Sequence, residues 1–283
     1  MNKTRIFDHV HIVRKLDETD YDSDVNRDAS IVADWAYSNG LKWTVDGSGR
    51  ELPPRNRVLF VAIGGDGTML YTMKKSLEYQ WSSVVGINQG SLGFLVEDLA
   101  GHQIEKFLDD VSECKTTFDE RMVLTTSIHG ERHVAVNEFL FSTGTHNAPF
   151  TYKVLINDQI VAEQFGSGVM VATSTGSTAM SLSAGGVIVS PSTNIMQIVP
   201  LVSHSLSARP IITTGRDKIS IETTANDRNS DFELRADGRR VWDNLPSNNK
   251  TYRIDFHKYD QKVFIHRPKE WNFFDVLTEK LKW

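Results

Sequence analysis

Three observations predict an α/β + β protein: strand and helix signals alternate over the first third of the chain, strand signals crowd the stretch after residue 120, and the tail is helically spaced. Residues 1–118 joined by 266–283 read as a Rossmann-like α/β domain. Residues 119–265 read as a β-rich domain. The C-terminal helix is expected to pack back on the first domain.

HVHIV (9–13) is a short apolar run that suits a buried strand. LDETDYDSD (16–24) is acidic, but it lacks the spaced ligands and turn glycine of a calcium loop and reads as solvated loop. Ile31, Val32, Trp35 and Ala36 recur at helical spacing, and Asn39-Gly40 stops that helix. Val58–Ile63 is the next strand, and Met69, Leu70, Met73 and Leu77 mark the helix after it. Val84–Ile87 is a third strand, followed by a helix marked by Ile104, Phe107, Leu108 and Val111. Such alternation implies a parallel sheet covered on both faces. MVLTTSIHG, RHVAVNEFLFST and TYKVLINDQIVAEQ then read as strands joined by Gly, Asn and Asp turns. KISIET, FELRADGRRV, YRIDFHKY and KVFIHR continue the pattern, and this half is expected to be mainly antiparallel. Phe273, Phe274, Leu277 and Leu281 give WNFFDVLTEKLKW its helical spacing.

Bulk properties exclude several classes. The 283 residues suffice for one large domain or two ordinary ones, and 40% hydrophobic with 24% charged residues is ordinary for a globular protein. A formal net charge of −5 gives no whole-surface attraction to nucleic acid or anionic membrane. The single cysteine, Cys114, excludes an intramolecular disulfide and a cysteine-based zinc cluster. No apolar run has the length of a signal peptide core or a membrane span. The expectation is a cytoplasmic protein with neither nucleic acid nor membrane as partner. The histidines form no HExxH arrangement, and no structural metal is expected.

VLFVAIGGDGTMLYTM (58–73) is the most informative stretch. Glycines there permit positive φ and bring bare backbone against a ligand. A turn between a parallel strand and a helix faces the crevice where α/β proteins bind ligands, and backbone N–H groups at such a turn suit phosphate. GGDGT is neither a P-loop nor a GxGxxG fingerprint. Its distinctive group is Asp66, since a carboxylate in a phosphate cradle is repulsive without a chemical role. It either holds Mg²⁺ against phosphate or orients and deprotonates a hydroxyl, both parts of phosphoryl transfer. The plainer alternative is a tight turn with Asp66 or Thr68 capping the helix.

A second small-residue block spans Phe165 to Pro191. Apolar runs on either side argue against a flexible linker. Ser177 to Ala184 is expected to form one short helix ended by Gly185-Gly186, with TSTGS supplying hydroxyls and N–H groups at its start. Two such helix starts, one in each domain, suggest a ligand with two polar ends bound in a cleft between them.

GGDGT (64–68), GINQGSLGFL (86–95), Asn137-Glu138, ATSTGSTAMSLSAGG (172–186), HSLSARP (204–210) and the terminal FFDVLTEKLKW together resemble the NAD kinases, in order and over almost the whole chain. GGDGT alone is shared with phosphofructokinases and with diacylglycerol and sphingosine kinases. The TGSTA–SLSAGG block with HSLSARP is much more specific. The resemblance implies transfer of the ATP γ-phosphoryl group to the adenosine 2′-hydroxyl of NAD, giving NADP, by a homodimer or homotetramer, with Mg²⁺ arriving on ATP. It implies Asp66 as the catalytic aspartate and Gly64, Gly65, Gly67 and Thr68 as the phosphate loop. It implies Asn137, Glu138, Ser167, Thr178, Ala179, Met180 and Ser183 as NAD-binding positions, the β-rich domain serving NAD binding and oligomerisation. His204 and Arg209 lie in a family motif with a structural role expected. Asp237-Gly238 also matches a family element but reads more simply as a hairpin turn.

Four positions depart from the family pattern. Ser167 stands where most members have the aspartate of Gly-Asp-Gly, and Met180 replaces a tyrosine that packs on adenine. Ser174 replaces a proline and Ser91 an asparagine. Loss of a charge and of a stacking ring predicts weaker NAD binding or a different acceptor such as NADH or another nucleotide. The alternatives are a GGDGT-loop kinase acting on a lipid and a non-catalytic nucleotide-binding homologue, against which the intact Asp66 argues.

Overall fold

The computed structural model describes residues 6–14, 24–49, 52, 57–90, 93–144, 148–205, 207–225, 232–243 and 250–283. Most of the acidic stretch at 16–24, Ser91 and Leu206 lie outside the described residues. The chain divides into two compact units, Met1–Glu120 with Val263–Trp283, and Arg121–Lys262.

The first unit is built on a six-stranded sheet in the order Lys42–Val45, His9–Arg14, Val58–Gly64, Ser82–Asn88, Val263–Arg267, Thr117–Arg121. The first four pair in parallel, and Ile265 pairs in parallel with Val84. Every residue of Val58–Gly64 is buried, as a central strand covered on both faces requires. One face carries Val10, Ile12, Leu59, Val61, Ile63, Val85 and Ile87 against the apolar stripes of helices Asp24–Ser38 and His102–Ser112. Helix Asp66–Ser76 also packs on the strands, burying Met69, Thr72 and Met73.

From His9–Arg14 the chain first runs outward to Lys42–Val45, then returns to Val58–Gly64 on the opposite side. Such a reversal opens a crevice at the carboxyl ends of the strands. The GGDGT turn leaves the sheet there, with Gly64 paired to Asn88.

The sequence reading leaves out the strands Thr117–Arg121, Ile195–Leu201 and Ile211–Thr214, and two further strands differ from it. Lys42–Val45 is an edge strand that periodicity leaves out, because only Thr44 of its four residues is buried. KVFIHR joins this parallel sheet and not an antiparallel one. Its own composition carries no information about which distant strand it will pair with.

The second unit is a sandwich of two antiparallel six-stranded sheets. One runs Gln159–Gly166, Phe150–Ile156, Ile219–Thr224, Thr251–Lys258, Leu124–Ile128, Glu131–Ala135. The other runs Ile211–Thr214, Ile195–Leu201, Gly168–Thr173, Glu138–Thr143, Phe232–Ala236, Arg239–Asp243. Alternate side chains of both meet in one core, where the Phe141 ring stacks on Phe232 at 5.4 Å and meets Phe150 edge-on at 5.5 Å. The Tyr152 hydroxyl crosses between the sheets and donates to the Gly168 carbonyl at 3.2 Å.

Candidate active site

Gly64 has φ +154°, and a Cβ there would lie 2.5 Å from Thr68 Oγ1, so the turn excludes any side chain. Helix Asp66–Ser76 starts at the next turn with Gly65 as its N-cap, which puts Asp66 in the first helical position. The Asp66 carboxylate reaches across to a neighbouring segment. Oδ2 accepts from the Phe94 N–H and Oδ1 from the Leu95 N–H, each at 3.0 Å. A Cβ on Gly93 would sit 2.3 Å from Asp66 Oδ1, so this docking needs glycine at 93. Lys280 Nζ stands 3.9 Å from Asp66 Oδ2 and 4.8 Å from the centre of the Phe94 ring.

Arg267 holds the same segment from its carbonyl side. Its guanidinium donates to the Phe94 and Leu95 carbonyls at 3.2 Å each. It pairs with Glu97 at 2.5 Å and Asp119 at 3.2 Å and lies 4.4 Å over Trp271. The side chain is 1% exposed, a burial tolerated because its donors are matched. Gly93, Arg267 and Lys280 were not singled out by the sequence. Gly93 lies inside the GINQGSLGFL motif, which could have flagged it; a lone arginine carries no such signal.

In the second unit Asn137 and Glu138 enter strand Glu138–Thr143, both buried. Their backbone is held by Asp237, whose carboxylate accepts from the N–H groups of Val136 at 3.1 Å, Asn137 at 2.7 Å and Glu138 at 3.3 Å. The Asp237 N–H returns a bond to the Glu138 carbonyl at 3.0 Å. Asp237 is therefore more than a hairpin residue. The TSTGS turn closes from the other side: a Cβ on Gly176 would lie 2.2 Å from the Asn137 carbonyl, and the Thr173 N–H donates to that carbonyl at 2.8 Å.

The single helix expected over Ser177–Ala184 is split. A 3₁₀ turn covers Thr175–Thr178 and a separate turn covers Met180–Ser183, with Ala179 at φ −101°, ψ −137° between them. The hydroxyls of the turn serve the fold: Thr173 donates to the Val136 carbonyl, Ser174 to the Pro191 carbonyl and Ser177 to the Ser174 carbonyl. The expected helix start is therefore a 3₁₀ turn, and its Thr175 hydroxyl accepts from the Arg121 guanidinium at 3.3 Å. Thr178 and Ala179 are half-buried, while Met180 and Ser183 are exposed.

The structure thus brings Asn137 and Glu138 together with the turn that leads into Thr178. Ser167 lies at the opposite end of strand Gly168–Thr173, roughly 20 Å along it. Its N–H donates to the Leu201 carbonyl at 3.0 Å, and backbone within 2.8 Å of a Cβ at Gly166 or Gly168 accounts for the glycines on either side. His204 and Arg209 are exposed; the His204 N–H donates to the Phe165 carbonyl at 2.9 Å.

Comparison with known proteins matches residues 136–262 to the model of the ATP-NAD kinase C-terminal domain. The NAD kinase of Tolumonas auensis is 34% identical over 81% of this chain and 78% of its own. That of Serratia proteamaculans is 35% identical over 88% of this chain and 84% of its own. The chain belongs to the NAD kinase family. In this NAD kinase family member the matched region includes Asn137, Glu138, the TSTGS turn and Asp237, while GGDGT precedes it. The fold is that of yeast NADH kinase, solved with NADH, at TM-score 0.81, 21% identity and coverage of 97% of this chain and 87% of that one. It is also that of an NAD kinase from Archaeoglobus fulgidus, solved with ATP, at TM-score 0.74, 18% identity and coverage of 97% and 98%.

Proposed function

We propose that this chain is an NAD kinase that moves the γ-phosphoryl group of ATP to the adenosine 2′-hydroxyl of NAD, yielding NADP and ADP. The observation that carries the reading is the Asp66 carboxylate, held by two backbone amides at the glycine turn that ends a buried parallel strand. In this reading each Asp66 oxygen keeps a lone pair beyond its amide bond, and one of them takes the hydroxyl. The 2′-oxygen attacks the γ-phosphorus, the bond to the β-phosphate bridge breaks, ADP leaves with that electron pair, and Asp66 accepts the proton. A loose phosphoryl-transfer transition state asks more of positioning than of base strength. Gly64, Gly65, Gly67 and Thr68 offer backbone and hydroxyl to the phosphates. Asn137 and Glu138 serve base edge and ribose, and Thr178, Ala179, Met180 and Ser183 line the nucleoside.

Among the described residues no three of His, Cys, Asp and Glu gather as a metal site. In the proposed reaction Mg²⁺ would come with the ATP phosphates and water, with Asp66 as the carboxylate beside it, and would neutralise phosphate charge. We assign the protein to the cytoplasm and to a homodimer or homotetramer. The apolar Ile160, Val161 and Phe165, exposed on edge strand Gln159–Gly166, support association of copies.

Purified protein with ATP, Mg²⁺ and NAD is expected to accumulate NADP, read by an NADP-specific dehydrogenase, and Asp66→Asn is expected to make none. Equal NADP from both proteins would remove Asp66 from the chemistry.

A further inference from the structure

We propose that Lys280, on the C-terminal helix, is a catalytic residue whose ammonium contacts the transferred phosphoryl group. This rests on the reading that Asp66 receives the hydroxyl proton.

A hydroxyl bound to Asp66 at about 2.8 Å attacks a phosphorus roughly 3.3 Å further on. The γ-phosphorus therefore lies within about 6 Å of the carboxylate at reaction. Lys280 Nζ stands 3.9 Å from Asp66 Oδ2, inside that sphere, and at 32% side-chain exposure it is open to a substrate. Carboxylate and ammonium share one reference point. Phe94 holds Asp66 through its N–H, and its ring lies under Nζ at 4.8 Å.

The helix that carries Lys280 is placed firmly. Asn272 caps helix Phe273–Leu281 by accepting from the Phe274 N–H at 2.9 Å. Phe273 is buried, its ring 6.4 Å from that of Phe94.

Three other cations of the unit are distant or bound in the core. GGDGT lacks the lysine of a P-loop. The lysines of helix Asp66–Ser76 are Lys74 and Lys75, about 13 Å along the axis from Asp66, and Lys75 is paired with Asp46. Arg267 is 1% exposed and bound to Glu97 and Asp119. Negative charge spreads over the γ-phosphoryl oxygens during transfer, and a fixed cation beside them lowers the barrier. Lys280 makes and breaks no covalent bond in this role.

The test compares Lys280→Met, which keeps the chain over Phe94, with Lys280→Arg and Asp66→Asn. For each, kcat, KM for ATP, NAD affinity by calorimetry and the thermal midpoint are measured. Lys280→Met is expected to lower kcat about 10²-fold while NAD affinity and the midpoint stay at wild type. Lys280→Arg is expected to recover much of the loss. Titration with inorganic tripolyphosphate reads the contact without turnover and is expected to weaken in Lys280→Met. Wild-type kcat and tripolyphosphate binding in Lys280→Met, with Asp66→Asn inactive, would overturn the role of Lys280 alone. Wild-type turnover in both variants would overturn the Asp66 reading with it. A loss in Lys280→Met matched by lost NAD affinity and a lower midpoint would make the residue structural and overturn the proposal.

Discussion

The Asp237 carboxylate lies 2.7 Å from the backbone nitrogen of Asn137, a residue 100 positions earlier in the chain. Asp237 and Gly238 have φ +49° and +77°, the left-handed pair that a tight hairpin needs. The same aspartate collects the N–H groups of 136, 137 and 138 and so sets where the Asn137 and Glu138 side chains start. Asn tolerates the left-handed backbone, so Asp237→Asn keeps the turn and removes the charge. Charge-assisted hydrogen bonds contribute about 1.5–3 kcal/mol each at the upper end. The variant is expected to lose about 2 kcal/mol of stability and to bind NAD markedly more weakly, checked by urea unfolding and calorimetric titration. Unchanged NAD affinity would separate the hairpin from the binding pair.

Gly93→Ala tests the Asp66 dock. The added methyl would meet Asp66 Oδ1 at 2.3 Å and Val96 Cγ2 at 2.7 Å, distances that force the carboxylate off its amides. NADP formation is expected to fall by about 10²-fold or more, as for other small misplacements of a reacting group. The thermal midpoint is expected to move far less, because Asp66 is partly open to solvent. Full activity would show that Asp66 works without its two amide bonds.

The legible parts of this chain were those whose local pattern and tertiary role coincide. Val58–Gly64 reads as a strand because both its faces are covered, and the glycines after it read as a tight strand-to-helix turn because a helical pattern follows at once. Other features depend on distant partners. Lys42–Val45 presents one buried residue, too few for a periodic signal. KVFIHR looks like any strand until Ile265 is set beside Val84. The helix expected over Ser177–Ala184 breaks at Ala179, after a 3₁₀ turn in which Gly176 is pressed against the Asn137 carbonyl some forty residues away. Asp-Gly explains itself fully as a hairpin, so local pattern gives no sign of the second task of Asp237, and only the match to a family element marks it.

The first unit should lose stability in mild acid. Burial pushes His266 down to about 4, in a site where Ser83 Oγ and Thr116 Oγ1 take its two nitrogens. Burial and, next, Lys75 push His11 down to about 4 against the opposing pull of Asp46, and burial lowers His9 as well. Thr44 Oγ1 lies 2.8 Å from both His9 Nε2 and His11 Nδ1; its single proton serves at most one of them, and a ring that accepts it must be neutral. In the unfolded chain these rings titrate near 6.5. Below that value the unfolded chain binds protons that the folded rings refuse. The stability is whole above about pH 6.5, shrinks as pH falls toward about 4, and changes no further below. At pH 5 each strongly shifted ring should cost about 2 kcal/mol. Urea unfolding at pH 7.5 and pH 5 checks this, and His266→Gln is expected to shrink the difference. Equal midpoints at the two pH values would mean that the rings meet solvent in the folded state.

Acceptor preference is the prediction with the most to say about what this NAD kinase does. Met180 is 43% exposed, so a tyrosine fits there without repacking the core. A stacking ring contributes about 1–3 kcal/mol for a base, and Met180→Tyr is expected to tighten NAD accordingly. Ser167 sits in a turn held by its backbone N–H to the Leu201 carbonyl, a bond that Ser167→Asp keeps. An aspartate there adds a charge and a strong acceptor at the end of the strand remote from Asn137. If that end meets the nicotinamide, the charge should favour the cationic ring of NAD over the neutral ring of NADH. The expected outcome is a rise in the ratio of kcat/KM for NAD to that for NADH in Ser167→Asp, and little change in that ratio in Met180→Tyr. The two positions lie beyond opposite ends of strand Gly168–Thr173, and the two substitutions should combine additively. Tight NAD binding by the wild type, unmoved by either change, would show that this chain recognises its acceptor by other means.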